Sequence, residues 1–177
     1  MGMTAKYVTV SASELEQVLA GGAKTIDIIW HKGTAAESCC WDMGKFAEDK
    51  QLAEAKQLGL HLWVDIDKDY RELHSLLTGT GFPKDANDHN LLSLALYAKD
   101  TVAGTAADFG YGPVRYLTPA RVEEIAAVLA ETRCSDLAEK NSFHVEEGDY
   151  MEAEFNAFKK FFVLASEAHD AILQIFV

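Results

Sequence analysis

The segment from Leu62 to Gly79, LWVDIDKDYRELHSLLTG, constrains the fold more than any other stretch of the sequence. Residues 62–64 suit a short buried strand, and Asp67, among the acids that follow, is the expected N-cap of a helix. The helix is predicted because apolar residues recur at three- and four-residue steps on one face: Ile66, Tyr70, Leu73, Leu76 and Leu77. Gly79 ends it, since glycine adopts a left-handed backbone without a Cβ clash. The segment predicts a strand, a helix and a tight stop, and it contains no catalytic motif.

The remaining sequence alternates strand and helix patterns. Runs of β-branched and apolar residues predict strands at 7–10, 25–31, 114–117 and 171–177. Residues 91–97 are an apolar run that fits a buried helix or a buried strand, which periodicity does not distinguish, and we favour a helix. Helical periodicity predicts a helix that ends at Gly21 and others at 46–58, 118–129 and 147–168. The last of these carries an aromatic stripe of Tyr150, Met151, Phe155, Phe158, Phe162 and Ala165. Residues 33–44 show no regular pattern.

Several helix starts carry capping signals. Ser11 and Ser13 each have a glutamate three residues later, the spacing of a capping box in which two side chains satisfy free backbone N–H groups. Thr118 can cap a helix whose first residue is Pro119, where the missing N–H of proline costs nothing. Ser135 is a further candidate cap for a short helix.

Composition limits the architecture to one globular domain. A chain of 177 residues with 49% hydrophobic residues buries roughly 70% of its unfolded surface. It contains no run of about 18 apolar residues that would span a membrane. The first residues lack a secretory-signal pattern, and three cysteines do not form a disulfide framework, so we expect a cytoplasmic protein. Residues 1–177 are therefore predicted to form one α/β domain, with a mixed β-sheet flanked by helices as a layered sandwich.

The charge of the chain is strongly negative and uneven. A formal net charge of −12 repels phosphate backbones and anionic lipid heads, so neither nucleic acid nor a membrane surface is an expected partner. Residues 136–154 carry seven acids against Lys140 alone. A basic protein could bind there through Glu146, Glu147, Glu152 and Glu154. The alternative is a solvated helix face that keeps the protein soluble.

The order of three sequence blocks resembles a known family. MGMTAKYVTVSASELEQVLAG, DIDKDYRELHSLLTG and GYGPVRYLTPARV follow one another as in the YfbM-like family of bacterial proteins, whose function is unknown. The resemblance covers most of the chain, including the acidic, aromatic last helix and the final strand. It implies a single cytoplasmic α/β domain and no particular activity. Tyr70 departs from the family, in which tryptophan is expected.

Two groups of residues could carry small-molecule chemistry. His74 lies at the edge of an apolar helix face, and imidazole titrates near neutral pH, so it could act as a general base. Arg115, with Tyr111 and Tyr116, could clamp a carboxylate or phosphate in a pocket shared with His74. The alternatives are a core-edge histidine bonded to backbone and an arginine paired with one of the surplus acids.

No metal or cofactor site is predicted. The alternation of Asp65, Asp67 and Asp69 is similar to a calcium loop, but Tyr70 and Leu76 stand where glycine and glutamate are required. Adjacent Cys39 and Cys40, with His31 nearby, lack the spacing of a zinc site: ligand pairs two to four residues apart and a second cluster.

Two functional hypotheses follow. The preferred one is a non-catalytic acidic interaction module that covers a basic partner, as immunity or inhibitor proteins do. The alternative is a small-molecule-binding protein or enzyme with a pocket that uses His74 as acid or base and Arg115 as an anion clamp.

Overall fold

The computed structural model describes residues 4–22, 40–42, 61–66, 70–81, 90–105, 111–145 and 150–176, with the backbone alone for 40–42. Within these residues the strands are β1 (Ala5–Val10), β2 (Cys40–Asp42), β3 (Trp63–Asp65), β4 (Asp100–Thr101), β5 (Arg115–Leu117) and β6 (Ala171–Phe176). The helices are α1 (Ala12–Gly21), α2 (Tyr70–Thr78), α3 (Leu91–Leu96), α4 (Pro119–Glu131), α5 (Cys134–Lys140) and α6 (Tyr150–Glu167).

The described strands form one mixed sheet in the order β2-β3-β1-β6-β5-β4. Strands β2 and β3 are parallel, and every other neighbouring pair is antiparallel. The two longest strands, β1 and β6, pair along their full length at the centre, from Ala5 opposite Phe176 to Val10 opposite Ala171. All six residues of β6 are buried, as expected for a strand covered on both faces.

The sheet is sandwiched because its strands alternate apolar side chains between two faces. On one face, Tyr7, Val64 and Phe176 join a core built with α2 to α6. On the other face, Val8, Trp63 and Leu173 pack with residues of α1. This arrangement confirms the predicted α/β class with helices about a mixed sheet.

Helix α6 supplies the largest apolar contribution to the core. Phe155, Phe158, Phe161 and Phe162 are fully buried, and each such burial is worth about 1.5 to 3 kcal/mol. The Phe158 ring meets Tyr7 of β1 edge to face, with ring centroids 5.7 Å apart. The predicted aromatic stripe is confirmed from Met151 onward. The assignment of Tyr150 to this stripe is wrong, because Tyr150 is 51% exposed.

Several local predictions are confirmed by the backbone. Ser11 caps α1 and forms the capping box with Glu14, Thr118 caps α4 ahead of Pro119, and Gly79 follows α2 with a φ of 77°. Residues 91–97 are largely helical, as α3.

Other local predictions are wrong or lie outside the described residues. Ser13 lies inside α1 and starts no helix. Ser135 does not cap α5, which begins one residue earlier after Arg133. Strand β2 occupies part of a stretch predicted to be irregular. Three predictions fall outside the described residues: the cap at Asp67, the 25–31 strand and the 46–58 helix.

Within the described residues, no helix is long and apolar enough to cross a membrane.

The two serines at the start of α1 should differ in their effect on stability. Ser11→Ala removes the acceptor of the Glu14 N–H and should lower the free energy of unfolding by about 1 kcal/mol. Ser13→Ala is the matched control and should change it by less than about 0.5 kcal/mol. Urea denaturation followed by tryptophan fluorescence measures both, and equal losses would contradict the assignment of Ser11 as the sole N-cap.

Candidate functional site

Three polar side chains on neighbouring strands point from the sheet toward α3. Tyr7 of β1 lies opposite Gln174 of β6, and Gln174 lies opposite Arg115 of β5. Because each is in register with the next, the three form a row across the centre of the sheet, which we call the polar row. Gln174 is the polar residue in the otherwise apolar strand AILQIF and is fully buried.

The polar row satisfies backbone groups at the end of α3. The last carbonyls of a helix have no partner within it, and α3 has only six residues. The Tyr7 hydroxyl donates to Leu96 O at 2.8 Å. Gln174 Nε2 donates to Ala95 O at 2.9 Å, and Gln174 Oε1 accepts from Ala98 N at 2.7 Å. The row therefore fixes where α3 ends.

Arg115 completes this anchor. Its Nη1 donates to Ala98 O at 2.7 Å, and its Nη2 donates to the Tyr97 hydroxyl at 2.7 Å. The guanidinium carbon lies 3.7 Å from the centroid of the Tyr97 ring, close enough for a cation–π interaction. These hydrogen bonds go to a carbonyl and a phenol. A carboxylate partner for Arg115 was one of the alternatives that the sequence left open.

His74 holds α3 from its other side. Its Nδ1 hydrogen-bonds the carbonyl oxygen of Thr80, and its Nε2 lies 3.3 Å from Ser93 Oγ of α3. A carbonyl only accepts, so Nδ1 carries a proton, and Nε2 shares a hydrogen bond with the Ser93 hydroxyl. This is the hydrogen bond of a serine–histidine pair. His74 is 0% and Ser93 2% exposed, so no substrate reaches the pair in this conformation.

An aromatic cluster separates His74 from Arg115. Tyr70 lies beside His74, with ring centroids 6.2 Å apart, and meets Phe176 at 5.4 Å. Phe176 in turn contacts Tyr97 at 5.3 Å, and Tyr97 carries Arg115. The two predicted chemical groups thus belong to one cluster. Packed rings fill the space between them. His74 and Arg115 therefore do not face a shared ligand as acid–base residue and anion clamp.

The two other predicted pocket residues lie elsewhere. Tyr111 is 59% exposed, and its backbone N–H donates to Phe176 O at 3.1 Å. Tyr116 packs with the sheet face opposite to that of Arg115. It also lines a cleft of about 220 Å³ beside the start of α4. The polar residues around this cleft are Lys99, Asp100, Tyr116, Thr118 and Arg121, and its apolar part comes from Leu94 and Leu117. No sequence pattern indicated this cleft.

The predicted partner-binding acids do not form one exposed group. Glu154 is 0% exposed and belongs to the buried face of α6, so its assignment to a docking surface is wrong. Helical geometry explains this, since position 154 lies one turn before the buried Phe158. Glu152 is half-buried in the first turn of α6. Glu146 and Glu147 lie outside the described residues.

Two buried tyrosines have perturbed ionisation. Burial raises the pKa of Tyr7 well above its ordinary value, and the neighbouring Tyr70 adds to the rise. Burial also raises the pKa of Tyr70; Tyr97 adds to this rise, and Arg115 opposes it. Both phenols stay neutral over the physiological range. Within the described residues no group of three or more His, Cys, Asp or Glu side chains could hold a metal ion.

Comparison with known proteins gives a family and a fold. A family model described as a domain of unknown function, DUF1877, matches residues 1–175. The crystal structure of a protein of unknown function, YfbM from Escherichia coli, is similar over 98% of this chain and 99% of that chain, with a TM-score of 0.58 and 14% sequence identity. At that identity the likeness shows the fold alone. No curated protein matches the chain.

The buried amide of the polar row should be essential for stability. Gln174→Leu leaves Ala98 N and Ala95 O without their partners, and each buried unsatisfied group costs about 1 to 3 kcal/mol. We expect the free energy of unfolding to fall by about 2 to 4 kcal/mol. Gln17→Leu, on the exposed face of α1, is the matched control. A loss below about 0.5 kcal/mol for Gln174→Leu, measured by urea denaturation, would contradict the anchoring role.

Stability should decline at alkaline pH because of the buried tyrosines. Above the ordinary pKa of 10.0, a tyrosine of the unfolded chain ionises while Tyr70 in the folded chain stays protonated. The contribution of the raised pKa to the free energy of unfolding is therefore fully present below pH 10. It decreases as the pH rises above 10, by up to about 1.4 kcal/mol per pH unit for each such tyrosine. Urea midpoints across this range should fall less steeply for Tyr70→Phe than for wild type. Exposed Tyr111→Phe is the control, and identical slopes in all three proteins would refute the prediction.

Proposed function

The chain belongs to the DUF1877 family of domains of unknown function, as its YfbM-like sequence blocks predicted, and we propose that it is a non-catalytic protein that binds a basic partner. The observation that supports this function best is the set of acids on α5 and in the first turn of α6. We define the α5–α6 acidic surface by Asp136, Glu139, Tyr150 and Glu152. Its two helices pack against each other.

The positions of the acids on α5 suit contact with a cationic partner. Asp136 and Glu139 are three residues apart, so they project from the same side of the helix, and both are exposed. The Asp136 carboxylate has an exposed arginine, Arg133, at 3.9 Å, a weak surface pair that a partner can replace. Glu139 makes no ion pair or side-chain hydrogen bond within the part of the chain that the structure describes.

Tyr150 adds an aromatic group to these charges. It begins α6, precedes Glu152 by two residues, and is half-exposed although its helix buries its other aromatic rings. Tyrosine is enriched among the residues that dominate protein interfaces, because its ring buries apolar area and its hydroxyl hydrogen-bonds. An exposed tyrosine in the same first helical turn as Glu152 favours a protein partner over a simple counter-ion.

The contacts of the catalytic candidates support a non-catalytic role. His74 bonds Thr80 and Ser93, and Arg115 bonds Ala98 and Tyr97, so both stabilise α3. The cytoplasm is the proposed compartment, since Cys134 is a buried cysteine that forms no disulfide and thiols stay reduced there.

A pull-down followed by charge reversal tests the proposed function. The protein is used to capture partners from its own cell lysate at low and moderate salt, and retained proteins are identified by mass spectrometry. A basic protein that is recovered stoichiometrically and released by salt is then purified. Its affinity for the triple variant Asp136→Lys, Glu139→Lys, Glu152→Lys should fall by at least about tenfold, with a weaker salt dependence.

The matched control moves the same charge elsewhere. Glu16→Lys, Glu72→Lys, Glu167→Lys reverses three exposed acids on α1, α2 and the end of α6, so its net charge equals that of the first triple variant. Equal losses of affinity in both variants would show attraction to net charge rather than to the α5–α6 acidic surface. Glu146→Lys, Glu147→Lys forms a second test set, whereas Glu154 is left intact because it is buried.

A further inference from the structure

The cleft beside the start of α4 has the size of a small metabolite. It measures about 220 Å³ and lies between the end of α3, the edge strand β4, β5 and the first turn of α4. Since water occupies about 30 Å³ in the liquid, this space holds about seven waters, or one molecule with a similar number of heavy atoms or slightly more. Drug-sized ligands need larger pockets.

One part of the cleft wall is cationic in a chain of net charge −12. Lys99 is exposed, and its ammonium makes no hydrogen bond or ion pair with any described residue. Arg121 lies in the first turn of α4 and also contacts Glu124. The amino end of α4, capped by Thr118, adds the positive end of a helix dipole. These groups suit a carboxylate.

The cleft also contains a carboxylate of its own. Asp100 follows Lys99 directly, and no described residue pairs with its side chain. Tyr116 lies opposite Asp100 in the β4–β5 pair, and its hydroxyl likewise lacks a described partner. An anion alone would meet repulsion from Asp100. A ligand with both a carboxylate and an ammonium group would pair with the cationic groups and with Asp100 at the same time.

The remaining lining is apolar. The half-buried Leu94 of α3 and the buried Leu117 of β5 supply it, and a short aliphatic group could cover Leu94. We propose that this cleft binds a small zwitterion, an α-amino acid with a short aliphatic side chain: its carboxylate is held by Lys99 and Arg121 and its ammonium by Asp100. The proposal is independent of the protein partner, because the cleft shares no residue with the α5–α6 acidic surface.

Ligand titration with matched probes tests the assignment. L-Leucine is titrated into the ¹⁵N-labelled full chain, together with 4-methylpentanoate, which has the same branched body without the ammonium group. We expect L-leucine to shift the amide signals of Asp100, Tyr116 and Arg121, with a dissociation constant of about 1 mM or tighter for a ligand of this size. 4-Methylpentanoate should bind at least about tenfold more weakly.

Two conservative variants separate the charges. Lys99→Met keeps the aliphatic stem and Asp100→Asn keeps the shape of the side chain, and each should weaken L-leucine binding by about tenfold. Both positions are exposed, so the variants should fold. Lys140→Met and Glu139→Gln on α5 remove the same charges away from the cleft and should leave binding unchanged.

Three results would overturn the proposal. The first is that L-leucine does not shift the cleft amides. The second is that 4-methylpentanoate binds as well as L-leucine, because Asp100 would then contribute no ammonium contact. The third is that the cleft variants and the α5 variants lose affinity equally, because binding would then depend on net charge instead of on the cleft.

Discussion

The short helix α3 depends on the sheet for the bonds that its own length cannot supply. Tyr7, Gln174 and Arg115 stand side by side on three central strands and bond the end of α3 and the residues after it. His74 and Ser93 join α3 to α2 from the other side. The buried contacts therefore include a directional network in addition to apolar packing. Such a network specifies one arrangement of helix on sheet, because a shift of either by one residue would break several bonds at once.

Several features of local structure were predicted correctly from causes that lie within a few residues, although the caps expected at Ser13 and Ser135 were wrong. The Ser11 capping box, the Thr118–Pro119 start and the Gly79 stop were all read correctly, because each depends on backbone groups one turn away. The two faces of the central strands followed from alternation. Strand β2 was missed, since three residues that pair in parallel with β3 need no periodic signal of their own.

The candidate site was less predictable because its roles depend on tertiary contacts. His74 and Arg115 were recognised as polar residues of interest and do belong to one cluster, but their partners are carbonyls and hydroxyls from segments distant in sequence. Gln174 was not predicted as a site residue because it lies in an apolar strand. It is nevertheless buried and forms the centre of the polar row. Glu154 was misjudged from charge alone. The available signal was its helical spacing from Phe158, which places it on the buried face.

Helix α4 connects the two proposed binding regions. Its first turn borders the amino-acid cleft, and its last residues lead into α5 and the acidic surface. At 1.5 Å per residue, its 13 residues span about 20 Å. The regions are therefore distinct in space but rest on one rigid element.

The pairing of β1 with β6 has a consequence for how the chain folds. The centre of the sheet joins residues 5–10 to residues 171–176, so its formation must close a loop that contains almost every other element. Such non-local pairing carries a large loss of chain entropy before any contact compensates for it, which slows folding. During synthesis, β1 cannot pair with β6 until the ribosome has made nearly the whole of this sequence. Until then the apolar faces of the sheet would stay open, and this interval is when the protein would be most prone to aggregate.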